Sequence, residues 1–241
     1  MKTEINVISN FHYLETVDSS GWVAQLRKIN LVITVCILVS LVSWLVSTFS
    51  NPDTVLDYLA FSGNNLLRGR VWTLATSLFL HADILHLAGN MLFLNVFGNT
   101  MEEDLGATKT LGTFFFGGLV SFLLSLLFYN STTPLIGASA AIFALSAIVM
   151  LIKPLKFSIL FFMPQGLVAI LYFVYNLVAV YSGAGGNVAY IAHLIGFAVG
   201  IPFGLAWSKN WLKNLLITIA MLIVFFIIVA IVIPIILNAL T

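Results

Sequence analysis

The chain has 241 residues, of which 61% are hydrophobic and only 8% charged, with a formal net charge of +1. A water-soluble domain carries roughly a quarter of charged residues to cover its surface, so lipid must be the solvent of this one. The balanced charge excludes a nucleic-acid partner held on a basic face, and the single cysteine, Cys36, excludes an intramolecular disulfide.

In chain order, residues 1–29 mix both charge signs without an apolar core, which predicts a short cytoplasmic tail rather than a signal peptide, with His12 solvated. Seven apolar segments follow, at 30–49, 85–101, 108–129, 137–152, 166–182, 187–207 and 211–238. A membrane span needs about 20 residues, so the second and fourth are short. The connection 50–84 holds Tyr58, Phe61, Trp72 and Phe79 among aliphatics. It is too apolar for a free loop and suits the interface or a protein-covered re-entrant position. Residues 153–164 form a second apolar connection of undetermined form. The expected class is an all-α, polytopic helical bundle.

Alternating sides across seven spans collects Lys2, Arg27, Lys28, Lys109, Lys153, Lys156, Lys209 and Lys213 on one side, against Arg68 and Arg70 on the other. Eight cations against two make the first side cytoplasmic, with the amino terminus inside. This is the expected topology of an integral, multi-pass protein of the cell membrane.

Polar side chains in hydrocarbon are costly and mark function by default. His86 with Asn90, Ser139 and His193 fall near the outer ends of the second, fourth and sixth segments. At 1.5 Å per residue all four lie within roughly 10 Å of the outer surface. A serine hydroxyl needs a base to take its proton, and imidazole is the natural one near neutral pH. Every Asp and Glu lies at or before Asp104, so no carboxylate shares the last spans with Ser139 and His193, and a dyad is expected. His86 and Asn90, spaced i,i+4, share a helix face. Their N–H groups, with the backbone N–H of Ser139, could stabilise an oxyanion. Ala192, Gly196, Gly200 and Gly204 make a small ridge on the sixth segment, facing the alanine-rich fourth (Ala138, Ala140, Ala141, Ala144), which predicts a close helix crossing. Asp83 is expected to cap the second span, Glu102 to brace a helix end, and Trp72 to anchor at the interface.

Metal chemistry does not fit: His81 and His86 are five apart with no glutamate between them, unlike the H-E-x-x-H pattern. An aspartyl protease would need two membrane aspartates, and here they lie at span edges or in loops. A transporter would place its ionisable groups near the midplane. No cofactor is expected.

The run H-A-D-I-L-H-L-A-G-N (His81 to Asn90), G-A-S-A (Gly137 to Ala140) and A-H-L-I-G-F-A-V-G (Ala192 to Gly200) together resemble the motifs of rhomboid proteases. Gly98, Glu102 and Gly106 match a further pattern, G-x-x-x-E-x-x-x-G. The resemblance implies a six-helix core over 30–207, with a cytoplasmic tail at 1–29 and one added carboxyl-terminal helix within 208–241. It implies an intramembrane serine endopeptidase with Ser139 as nucleophile and His193 as base. His86 and Asn90 would be oxyanion donors, with Gly137 shaping the preceding loop. Phe143 would pack on the histidine, and His81 would support the loop. The implied partners are the lipid bilayer and single-span membrane-protein substrates, cut near the outer face. Ala140 replaces the family's usual glycine, and Trp72–Thr73 stands where the family has Trp–Arg. The alternative is a catalytically silent relative that binds membrane segments.

Overall fold

The computed structural model describes residues 27–49, 51–184 and 188–240. The expected tail and His12 therefore lie outside the described residues, apart from positions 27–29. The described chain is predominantly helical, one of the two ways of keeping a backbone internally bonded in lipid.

The first helix, α1 (Lys28–Phe49), is followed by α2 (Pro52–Leu59), α3 (Gly63–Leu67) and α4 (Thr73–Thr76), the last extended by a 3₁₀ turn at Ser77–Phe79. Next come α5 (Ile84–Phe93), a π turn at Leu94–Gly98 and α6 (Asn99–Leu105). Then follow α7 (Ala107–Ser125), α8 (Ser139–Ile152), α9 (Gln165–Tyr181), α10 (Tyr190–Trp207), α11 (Trp211–Ile227) and α12 (Ile233–Leu240). The expected segments fall on helical stretches, the second on α5, the π turn and α6, and the last on α11, a π turn and α12. By length and composition, α1, α7, α10 and the α11–α12 run can cross a membrane, while α8 and α9 are shorter apolar helices. The whole is a polytopic, all-α membrane bundle.

The connection 50–84 bends back on itself: Thr73–Phe79 meets the α5–α6 run at 93°. Several of its backbone groups are satisfied from within. Ser62 caps α3 by accepting from the Asn65 N–H. The Asn65 amide donates to the carbonyls of Asp57 and Ala60, and the Trp72 indole N–H donates to the Tyr58 carbonyl at 2.9 Å. Arg70 pairs with Asp57 at 2.8 Å and lies over the Tyr58 ring. The hydrogen bond from Arg70 holds the Asp57 carboxyl below its usual value of 3.8.

The connection 153–164 forms a minimal hairpin of β1 (Phe157–Ser158) and β2 (Met163–Pro164). It lies at the end of the bundle where charges meet. Arg27 and Lys156 both reach Glu103, and Lys153 reaches Asp104. The hydrogen bond from Lys156 pulls the Glu103 carboxyl below its ordinary range. Glu102 accepts from the backbone N–H groups of Lys28 and Ile29, at 2.7 and 2.8 Å. It thereby caps α1.

The centre of the bundle is α8. Twelve consecutive residues, Ala140 to Leu151, are buried, as befits a helix that is apolar all round. Its principal neighbour is α10. A Cβ at Gly196 would run into the Ala140 carbonyl, and one at Gly200 into the Ala144 carbonyl. The small ridge thus sets the separation of these two backbones. From α7, Gly117 meets Ala144, and Gly118 meets Leu78 and Ala141. The helix α11 reaches α8 through Asn214, whose amide donates to the Leu151 carbonyl at 2.7 Å. The π turn Ile228–Val232 lies just before Pro234, where the ring forbids a regular i−4 bond.

Candidate active site

The segment leading into α8 is held by the bent connection. The Leu135 N–H donates to the Phe61 carbonyl at 2.7 Å, the Gly137 N–H to the Ser77 carbonyl at 2.8 Å, and the Asn64 N–H to the Ser131 carbonyl at 2.8 Å. Gly137 adopts a φ of +107°, and a Cβ there would stand 2.8 Å from His86 Nε2. Only glycine meets both demands. Ser139 follows as the first residue of α8, where backbone N–H groups have no intrahelical partner.

His193 is the fourth residue of α10, on the face that crosses α8. Its Nε2 lies 2.7 Å from Ser139 Oγ. Phe143, one turn beyond Ser139, stacks on the imidazole with centroids 4.7 Å apart and planes 6° from parallel. His86 is the third residue of α5. Asp83 caps that helix by accepting from the His86 N–H at 2.8 Å. The Ala82 N–H approaches His86 Nδ1 at 3.3 Å. That leaves the ring proton on Nε2, the nitrogen that faces Gly137. Asn90, one turn further along, donates to the His86 carbonyl at 3.0 Å. His86, Asn90, Ser139, Phe143 and His193 line one cavity of about 700 Å³.

The depths differ slightly from expectation. The fourth span was expected from residue 137 and the sixth from 187, but their helices begin at Ser139 and Tyr190. The turn at Gly137 delays the first helix, so the serine sits at the helix mouth rather than inside a turn. His81 stands beside this group. Its Nδ1 is 3.0 Å from Ser40 Oγ, its carbonyl accepts from the Trp44 indole at 2.8 Å, and its ring meets His86 edge-on at 5.0 Å.

One residue at the site was missed from sequence. Asn176, buried in α9, bonds its Oδ1 to His193 Nδ1 at 2.8 Å. The available signal was a strongly polar side chain in the middle of an apolar segment.

The family model of the rhomboid domain matches residues 68–210, more than half of the chain and the whole of the site. Over 76 residues, 32% of this chain and 28% of the relative, the sequence is 40% identical to rhomboid-like protease 3 of Toxoplasma gondii. It is 33% identical to the rhomboid protease GluP of Bacillus subtilis over 94 residues, 39% of this chain and 18% of that protein. It is 34% identical to human rhomboid-related protein 3 over 79 residues, 33% of this chain and 19% of the relative. The matched stretches span less than a third of these relatives' own lengths. With the ordered motifs on adjoining helices and the domain model across them, the chain belongs to the rhomboid family.

Proposed function

We propose that this protein is an intramembrane serine endopeptidase that cleaves transmembrane segments near the extracytoplasmic face. The observation that carries the reading is the 2.7 Å contact between Ser139 Oγ and His193 Nε2, within a cavity that contains further N–H donors. Ser139 attacks the scissile carbonyl while His193 takes the hydroxyl proton, forming a tetrahedral oxyanion. His86 Nε2–H, the Asn90 amide and the Ser139 N–H receive its charge, and Gly137 leaves room for it. Collapse expels the amine, which receives the proton from His193. Water then attacks the acyl-enzyme by the same route in reverse roles.

Catalysis is assigned to the 30–207 core, with 208–241 as an added helix. Ser139 begins α8, whereas the ion pairs of Lys153 and Lys156 lie beyond the other end of that helix, about 21 Å away at 1.5 Å per residue. The cation excess supports a cytoplasmic far end and an outward-facing cavity. The substrate is a single-span membrane protein whose helix opens near the cut, because a hydrogen-bonded helix hides its peptide bonds. Several relatives are named as proteases, which supports the reading. The test is cleavage of a single-span reporter by the protein in lipid vesicles. Ser139→Ala and His193→Ala should each abolish cleavage while leaving thermal unfolding intact. Cleavage retained in either folded variant overturns the dyad. A folded wild type that binds reporter helices without cutting any would be the silent relative instead.

A further inference from the structure

We infer that Asn176 is a positioning residue that selects the tautomer of His193, so that its Nε2 is free to accept the serine proton. The inference rests on the protease reading above for its consequence, but the assignment of the proton follows from donors and acceptors alone. The Asn176 Nδ2 donates to the Tyr172 carbonyl at 2.7 Å, and a backbone carbonyl can only accept. The opposite orientation of the amide would set oxygen against oxygen there, so the nitrogen must face Tyr172. The Oδ1 is thereby turned to His193 Nδ1, at 2.8 Å. An amide oxygen can only accept, so Nδ1 must carry the hydrogen. In a neutral imidazole that leaves Nε2 as the acceptor, 2.7 Å from the Ser139 hydroxyl, which donates to it. The proton positions are thus fixed by the Tyr172 carbonyl, on α9.

Burial gives the relay its force. Asn176 is only 1% exposed and His193 9%, so water competes weakly with either partner. Phe143 covers one ring face with planes 6° from parallel. It fixes the plane of the ring and says nothing about which nitrogen is protonated. Asn176 supplies that second constraint. It does so without a buried charge, which a carboxylate in its place would bring at high desolvation cost.

The experiment uses the full chain in lipid bicelles with its histidines labelled with ¹⁵N, four in all, and His193 assigned by its loss in His193→Ala. The wild type should show the Nδ1–H tautomer at His193. Asn176→Leu removes the acceptor and should populate the Nε2–H tautomer, with kcat on a reporter falling by about tenfold or more and KM nearly constant. Asn176→Asp should rescue both readouts: as a neutral acid, its hydroxyl donates to Tyr172 and its carbonyl accepts from Nδ1. A residue that served only the packing of α9 would move the unfolding temperature and leave the tautomer alone. An unchanged His193 tautomer in folded Asn176→Leu, or an Nε2–H tautomer in the wild type, overturns the inference. The nitrogen signal needs no turnover. A wild type with the Nδ1–H tautomer that cleaves nothing would therefore overturn the protease reading and leave the tautomer assignment standing.

Discussion

Gly137 and His86 meet so closely that no side chain fits between them: a Cβ on Gly137 would lie 2.8 Å from His86 Nε2. The backbone there also has a φ of +107°, so steric and conformational costs act together. Gly137→Ala should therefore destabilise the protein by about 1–3 kcal/mol and displace the imidazole from its oxyanion position. Gly112, in α7, has open space where its Cβ would go. Gly112→Ala should be neutral or stabilising by about 0.5–1 kcal/mol. Thermal unfolding of both variants in detergent checks the contrast, and equal unfolding temperatures would contradict it.

The crossing of α8 and α10 gives a second prediction. Gly200→Ala drives a methyl group toward the Ala144 carbonyl, seven residues from His193. Separating these backbones should cost about 1–3 kcal/mol and lower kcat by stretching the serine–histidine contact. Reporter kinetics and unfolding, measured on the same preparation, should fall together. A destabilised variant with full kcat would show that the ridge packs the bundle without setting the dyad.

Much of the architecture was legible before any coordinates, for physical reasons that differ by element. Cost in hydrocarbon pointed to His86, Asn90, Ser139 and His193, and the structure brings these four side chains around one cavity. Small-residue spacing identified the α8–α10 crossing. Asn176 was passed over because its partner lies 17 residues away across a chain reversal, where no helical spacing links the two. The connection 153–164 could not be read, because a short apolar run bounded by Pro154 and Pro164 suits a strand, a turn or a helix fragment equally. The apolar segment from residue 137 opens two residues before α8, since Gly137 is spent on a turn and not on the helix.

Glu102 offers a test away from the cavity. Its carboxylate accepts two backbone N–H groups at the start of α1. Glu102→Ala removes that acceptor and should cost about 0.5–2 kcal/mol, with kcat on the remaining folded protein unchanged. Unfolding and single-site kinetics separate the two effects. A kcat loss larger than the lost folded fraction would place Glu102 in the chemistry after all.

The outer connection should respond to acid in a defined direction. Asp57 titrates below its usual 3.8 in the folded protein because Arg70 donates to it. Its contribution to stability is present above the unfolded value and is lost as pH falls through the lower folded one. The pair is exposed, so the effect is small. Arg70→Met should shrink the stability lost below about pH 4, read as a shallower fall in unfolding temperature between pH 5 and pH 3. Identical acid limbs in the two proteins would contradict the assignment.

The most direct test of the central claim is to treat the protein in bilayers with a serine-directed fluorophosphonate and map the modified residue by mass spectrometry. Label should appear on Ser139, and it should vanish in His193→Ala, which keeps the hydroxyl but removes its base. An intact wild type that takes no label on Ser139, or a His193→Ala variant labelled as fast as the wild type, would contradict the account.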